Sequence, residues 1–450
     1  MGAHKAGAAG NEILQENSLI CLVLTANSTY FSLTLDNIAP MSNSRSRVSI
    51  VGQGYVGLPL AMAAVKAGWD VTGIDVSAET VESLNAGISH IEDVSNNELA
   101  EAVSKGLYRA SIDGKSAEGS DVCVICVPTP LDSQGLPDLS FLKSAVSLVA
   151  EHLKPDALLV SESTSYPGTV RDLVKPLVAS LRADGGERMS FASAPERVDP
   201  RNANWNMENT PRLVSGIDEV STKRALDFYS SICETVIPVS KPEVAEMAKL
   251  LENTFRQVNI ALVNQLVPFC KELGIDVREV VEAAGSKPYG YMKFYPGAGV
   301  GGHCIPIDPL YLLWKARQVG HELPFVAKAD EVNGNMPKYV VERVVGMSSP
   351  QFGAHVAILG VAYKTGISDV RESPAEHVAQ ALVSKGFKPV WIDPLVENFH
   401  GFEKHNGHKI SGAIVVTAQE GLPVRELAES GVPILDCTGV FKGISGVEQL

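Results

Sequence analysis

Residues 47–76 read RVSIVGQGYVGLPLAMAAVKAGWDVTGIDV. An apolar run, a glycine-rich turn, a helical period closed by Gly68 and a second apolar run ending in Asp75 spell a strand–helix–strand unit. Gly52, Gly54 and Gly57 place GxGxxG in the turn, with Tyr55 and Val56 between the glycines, and Asp75 follows Gly57 by 18 positions. In a dinucleotide site the first two glycines let the backbone turn and approach a pyrophosphate. The third lets the helix pack on the strand, and the acid takes a ribose hydroxyl. A carboxylate at Asp75 repels a 2′-phosphate, so NAD is expected rather than NADP. A glycine-rich turn without a ligand is the competing reading, and the register of strand, helix, strand and acid weighs against it.

Working outward, apolar runs at 121–127, 157–161 and 190–194 alternate with helical stretches, as a doubly wound parallel sheet requires. Cys123 and Cys126 lie in DVCVICV, where positions three apart point to opposite faces, so they read as core rather than a metal or redox pair. Residues 243–274 carry one long helical pattern, ending at Gly274 and interrupted by Pro268, where a kink is expected. Such a rod can join two domains and offer a dimer face. A second strand–helix–strand unit runs through HVAILGVAY from 355, PAEHVAQALVSKG and KPVWIDP, with Ser373 and Glu376 spaced as a capping box and Pro374 at the first helical position. The expected fold is α/β: two doubly wound, Rossmann-like domains joined by a long-helix central domain. The boundaries read as a disordered extension at 1–45, a cofactor domain at 46–215, a helical centre at 216–335 and a second α/β domain at 336–450. Met41 opens a polar MSNSRSR run just before the first strand, and the short apolar run SLICLVLT at 18–25 is a poor leader.

The chain has 450 residues, 45% hydrophobic and 20% charged, close to the averages of folded water-soluble proteins, so neither a disordered nor a membrane-embedded class is indicated. A net charge of −14 argues against a general affinity for nucleic acid or anionic membranes. Any anionic ligand must be held by a few placed cations and backbone N–H groups. Seven scattered cysteines with no repeated spacing point to a reducing compartment, read as the cytoplasm.

The segment GGHCIPIDP, 301–309, sets Cys304 after two glycines and a histidine. A zinc site lacks further ligands at suitable spacing, so no metal is expected. An inert buried thiol and a nucleophile both stand on the residues alone. The nucleophile gains from the flanking glycines, from a helix starting near Pro309 that would favour a thiolate, and from the cofactor site upstream. An aldehyde has no hydride to give until a nucleophile adds to it, and a thiolate provides a thiohemiacetal that can be oxidised to a thioester.

With VGQGYVGLPLA, CVPTPL, SESTSYPGTV, APERVDP, EMAKLLENTFRQVNIALVNQ, FYPGAGVGGHCIPIDP and GVAYKTGISDVRESP in this order, residues 47–450 resemble the UDP-glucose/GDP-mannose dehydrogenase family. The resemblance implies NAD-dependent, four-electron oxidation of the C6 alcohol of a UDP-sugar to a carboxylate. GGHCIPIDP and SESTSYPGTV resemble the branch acting on UDP-N-acetylhexosamines, UDP-N-acetylglucosamine first, with UDP-N-acetylmannosamine and UDP-glucose as alternatives. It implies a homodimer or larger homo-oligomer. Cys304 becomes the nucleophile, Lys249 and Asn253 its oxyanion partners one helical turn apart, and Asp308, Glu196 and Thr129 the water and proton network. Asp308 is alternatively an N-cap before Pro309. Pro128, Thr129, Thr164 and Glu162 would meet the cofactor, as would Arg371 across the interdomain cleft. Arg197, Tyr295, Gly297, Gly301, Gly302 and Lys364 would meet the UDP-sugar. Lys287 stands where many relatives use an arginine from the neighbouring subunit, keeping the charge without the bidentate fork. Arg201 stands where relatives often have glycine. A non-catalytic sugar-nucleotide-binding regulator and a two-electron hydroxyacid dehydrogenase are the remaining alternatives; neither would use Cys304.

Overall fold

The computed structural model describes residues 46–198 and 204–450; the expectations for residues 1–45 and for Arg201 lie outside them. The opening stretch folds as β1 (Arg47–Val51), a helix over Gly57–Lys66 and β2 (Asp70–Ile74). β1 and β2 pair in parallel from Arg47 opposite Asp70 to Val51 opposite Ile74. After its first residue each strand is buried on both faces, which is why the sequence shows runs rather than alternation. A Cβ at Gly57 would lie 1.8 Å from the Gly52 carbonyl oxygen, so only glycine lets this helix sit so close to the strand.

The first sheet continues with β3 (Tyr108–Ser111), β4 (Val122–Ile125), β5 (Leu158–Ser161), β6 (Ser190–Ser193), β7 (Arg212–Gly216) and β8 (Val236–Pro238). Its order is β3-β2-β1-β4-β5-β6-β7-β8. β6 and β7 alone are antiparallel. The chain reverses direction across the sheet between β1 and β4, the point at which a crevice opens at the strand ends. The sheet runs past the expected boundary at 215, because β8 is a three-residue, half-exposed edge strand ending in proline and leaves no periodic signal.

A helix of 31 residues, Pro242–Glu272, follows and continues through Pro268. It packs along a second long helix, Pro324–Ser348, within which the expected boundary at 335 falls. Between them Asn264 donates to Asn333 at 2.9 Å, and Asn333 donates to the Gln257 carbonyl at 3.1 Å. The second sheet contains β9 (His355–Leu359), β10 (Lys388–Ile392), β11 (Glu403–Lys404), β12 (Ile410–Val415), β13 (Ile434–Asp436) and β14 (Val447–Gln449). All its pairs are parallel, in the order β11-β10-β9-β12-β13-β14, which repeats the order of the first six strands of the other sheet. Ser373 caps the helix Pro374–Ser384 by accepting from Ala375 N at 3.2 Å. Glu376 does not close the expected capping box; its carboxylate faces Gln380 and His400 instead. Among the described residues no helix is long and apolar enough to cross a membrane.

Candidate active site

The glycine loop sits at the switch point. Gly52 has φ +90°, and a Cβ there would lie 2.4 Å from the Cys126 carbonyl oxygen at the end of β4. Nothing lies within 4 Å of a Cβ built on Gly54, which leaves open space over the loop. Asp75 accepts from Gln53 N at 2.8 Å and Ser77 N at 3.0 Å, fixing its carboxylate beside that space. This cradle fits a dinucleotide. Val56 is the residue before the helix, and the half-exposed Tyr55 faces outward. The following loop, with Pro128 and Thr129, is tied to the SEST turn by Ser163, which accepts from Val127 N at 2.9 Å and donates to Val127 O at 2.8 Å. Thr164 is half-buried in the same turn.

Glu162 does not face the cofactor cradle. It is fully buried, 3.3 Å from the guanidinium of Arg212 and accepting from the Tyr229 hydroxyl at 2.5 Å. Burial raises its carboxyl pKa, while Arg212 and Tyr229 oppose the rise. Arg212 also reaches the carbonyls of Ala194 and Pro195, and so underpins the turn that carries Glu196. Sequence reasoning missed Arg212: the pair joins the end of β5 to the start of β7, and no local spacing announces it.

The predicted chemical groups converge on the long helix. Lys249 is buried there, with Asn253 one turn on. Asp308 is the first residue of the helix Asp308–Gln318, and Ile307 is the cap, so Asp308 is not the N-cap. Its carboxylate instead accepts from the Asn253 amide. Burial pushes the Asp308 carboxyl up to about 6, with Lys249 and Asn253 lowering it and Glu196 raising it. Burial works against the Lys249 charge. The negative groups Glu196, Cys304, Asp308 and Glu252 outweigh burial and hold its pKa above the ordinary lysine value. Cys304 is open to solvent on one side. Protein around the rest of the thiol strips its water, and this, with Asp308 and Glu196 against the opposing Lys249, pushes it up to about 11. The expected thiolate-favouring helix terminus therefore does not prevail: the resting thiol is protonated at neutral pH.

Thr129 meets this cluster through Tyr311, which bonds it and donates to the Pro130 carbonyl at 3.1 Å, clasping the loop after β4 to the helix that follows Cys304. Arg197 is paired with Glu252 at 2.6 Å and donates to the Pro211 carbonyl, which pins it beside the long helix. Arg371 reaches from the second α/β domain to the glycine loop, its guanidinium 6.0 Å from the Tyr55 ring centre. Gly301 and Gly302 lie against the same segment: Gly302 N donates to the Glu372 carbonyl at 3.2 Å. Lys364 stands in the loop after β9, at the switch point of the second sheet. Gly297 N is held by Asn264 at 3.0 Å, whereas Tyr295 is turned outward to Glu282. Lys287 is exposed, 4.8 Å over the Tyr289 ring, and no bond joins it to the cluster.

A separate group, His355, Glu403 and His408, has metal-ligand chemistry but lies at the N-terminal ends of the second sheet. Its two imidazoles are stacked 4.2 Å apart, Glu403 already accepts from His408, and Lys388 adds positive charge. These contacts account for the group without an ion.

The chain matches the NAD binding domain of the UDP-glucose/GDP-mannose dehydrogenase family over residues 46–233, its central domain over 243–335 and its UDP binding domain over 357–421. It is 34% identical over 360 residues to the UDP-N-acetyl-D-mannosamine dehydrogenase of Pyrococcus horikoshii, covering 79% of this chain and 85% of the relative. The solved structure of that enzyme superposes with a TM-score of 0.80 at 29% identity, covering 90% of this chain and 98% of that one. The enzyme of the same description from Salmonella typhi is 34% identical over 356 residues, covering 75% and 83%. A UDP-glucose dehydrogenase from Pyrobaculum islandicum superposes with a TM-score of 0.82 at 28% identity, covering 92% and 98%. Two α/β domains with a dinucleotide cradle, a helical centre bearing Cys304 and three consecutive family matches lead to one conclusion: the chain belongs to the UDP-glucose/GDP-mannose dehydrogenase family and is a NAD-dependent UDP-sugar dehydrogenase.

Proposed function

We propose that this enzyme oxidises C6 of UDP-N-acetyl-D-mannosamine to the carboxylate through a covalent Cys304 intermediate. The observation that carries the chemistry is the convergence of Lys249, Asn253 and Asp308 around an accessible Cys304. The sugar assignment rests on the relatives described as UDP-N-acetyl-D-mannosamine dehydrogenases, which favour the mannosamine epimer over the glucosamine epimer that the sequence motifs put first.

When bound by the glycine loop and Asp75, NAD supplies a hydride acceptor. The chain's own groups manage protons and charge. Asp308, with a pKa near 6, is ionised at neutral pH yet basic enough to accept a proton from the C6 hydroxyl through water. At the aldehyde, Cys304 Sγ adds to C6, and the Lys249 ammonium and Asn253 amide stabilise the oxygen that gains charge. Once Asp308 has passed its first proton on through water to solvent, it is again a carboxylate and can receive the thiol proton as the C–S bond forms. After the second oxidation the thioester is cleaved by water, for which Glu196 is the proposed base; the acid departs and the thiol is restored. Lys364, Arg197, Gly297 and Gly301 are proposed to hold the sugar nucleotide, with Tyr295 and Lys287 joining only after the loop they occupy moves.

The long helix and its C-cap also present Met247, Leu251, Phe255, Leu262, Phe269 and Leu273 to solvent at spacings of four and seven residues. An apolar stripe of this length on one rod is the face expected of a homodimer. Purified protein with NAD and a panel of UDP-N-acetylmannosamine, UDP-N-acetylglucosamine and UDP-glucose tests the substrate. The reading predicts the highest kcat/KM with the mannosamine; turnover of UDP-glucose alone would overturn it.

A further inference from the structure

We infer that His303 is a positioning residue that couples engagement of the cofactor cradle to the placement of Cys304, its neighbour in the chain. His303 Nε2 lies 3.2 Å from Asp369 Oδ2 in the second α/β domain. The same carboxylate accepts from Arg371 Nη2 at 2.7 Å and Nε at 3.0 Å, and Arg371 stands over Tyr55 of the glycine loop. One nearly buried carboxylate thus joins the cysteine loop, the second α/β domain and, through Arg371, the first. Burial opposes the charge on Asp369, but His303 and Arg371 prevail and hold its carboxyl well below the usual range.

The joint is built, not incidental. Gly302 N donates to the Glu372 carbonyl, and a Cβ at Gly301 would lie 2.7 Å from Pro374, so the cysteine loop is seated on this segment. Glu372 holds φ +51°, a left-handed conformation that a non-glycine residue keeps only when its surroundings enforce it. The Tyr363 ring stands edge-on to the imidazole with centroids 5.8 Å apart, which limits its rotation. A cation drawn toward an anionic cofactor loosens its own hold on Asp369 and leaves that carboxylate to His303. Cofactor binding and the His303–Asp369 contact therefore reinforce each other, and the coupling is reciprocal.

The inference rests on reading Arg371 as the cofactor-facing cation, so the experiment separates the two. KM for NAD and the rate of Cys304 alkylation by iodoacetamide, with and without saturating NAD, are measured for wild type, H303A, H303Q and R371A. Loss of a hydrogen bond from the partly exposed His303 to a charged partner is expected to raise KM for NAD about three- to tenfold in H303A. The effect of NAD on alkylation should also disappear in H303A. Glutamine places an amide nitrogen where Nε2 stands, so H303Q should retain the NAD effect. An NAD effect of the same size in H303A and wild type would overturn the inference, as would H303Q behaving as H303A. If R371A leaves KM for NAD unchanged, the reading of Arg371 fails; if R371A raises it and H303A does not, the coupling through His303 alone fails.

Discussion

Replacing Lys249 by methionine should make Cys304 harder to ionise, although the lysine is buried and its removal spares a charged group from burial. In the wild type, burial, Asp308 and Glu196 push the thiol up to about 11 against Lys249. At pH 8 a thiol of that pKa is about 0.1% thiolate, against about a quarter for an unperturbed cysteine near 8.5. Higher basicity makes each thiolate a better nucleophile, with a Brønsted slope of about 0.4–0.5, which recovers roughly an order of magnitude. The net expectation is alkylation of Cys304 by iodoacetamide about 20-fold slower than that of a free cysteine at pH 8. A nearby opposite charge shifts a pKa by about 1–3 units, so K249M should slow alkylation at pH 8 by a further threefold or more. Quantifying the Cys304 peptide by mass spectrometry from pH 7 to pH 10.5 checks both statements. The wild-type rate should climb without a plateau below pH 10. A plateau near pH 8.5, or faster alkylation in K249M, would refute the electrostatic account of the site.

Three further outcomes follow from the geometry. Asp308 has its folded pKa raised from near 3.9 to about 6, so the folded state binds more protons between these values and stability falls as pH rises through that window. D308N should therefore gain up to about 3 kcal/mol at pH 8 in denaturant unfolding while losing turnover, and a stability difference that does not shrink between pH 6 and pH 4 would count against it. Arg212→Met leaves the Glu162 carboxylate buried without its partner and should cost about 3–5 kcal/mol, part of which E162Q restores in the double variant. Leu262→Glu, in the exposed stripe of the long helix, should halve the mass seen in sedimentation if that stripe is the dimer face; an unchanged mass excludes it.

Much of the site was legible because its parts are local. The glycines and Asp75 follow from the strand–helix–strand unit, and the one-turn spacing of Lys249 and Asn253 from the period of the long helix, and the structure contains both elements. What escaped is non-local or energetic. Glu162 looked like part of a turn facing the cofactor, but its environment is set by Arg212, 50 positions away in sequence. His303 carries no local signal beyond its place in GGHCIPIDP, and its partner Asp369 comes from another domain. Asp308 next to Pro309 carried the signal of a helix cap, yet its carboxylate is drawn to Asn253, because a buried acid requires a donor. The thiol pKa also lay beyond sequence reasoning. A helix terminus favours a thiolate only modestly, and here burial and two carboxylates outweigh it.

The most direct test of the account is the number of NADH formed per UDP-sugar consumed, measured at completion for wild type and for C304A. The covalent route predicts two NADH per sugar for the wild type, and for C304A no acid product. One NADH per sugar in the wild type, or two in C304A, would contradict it.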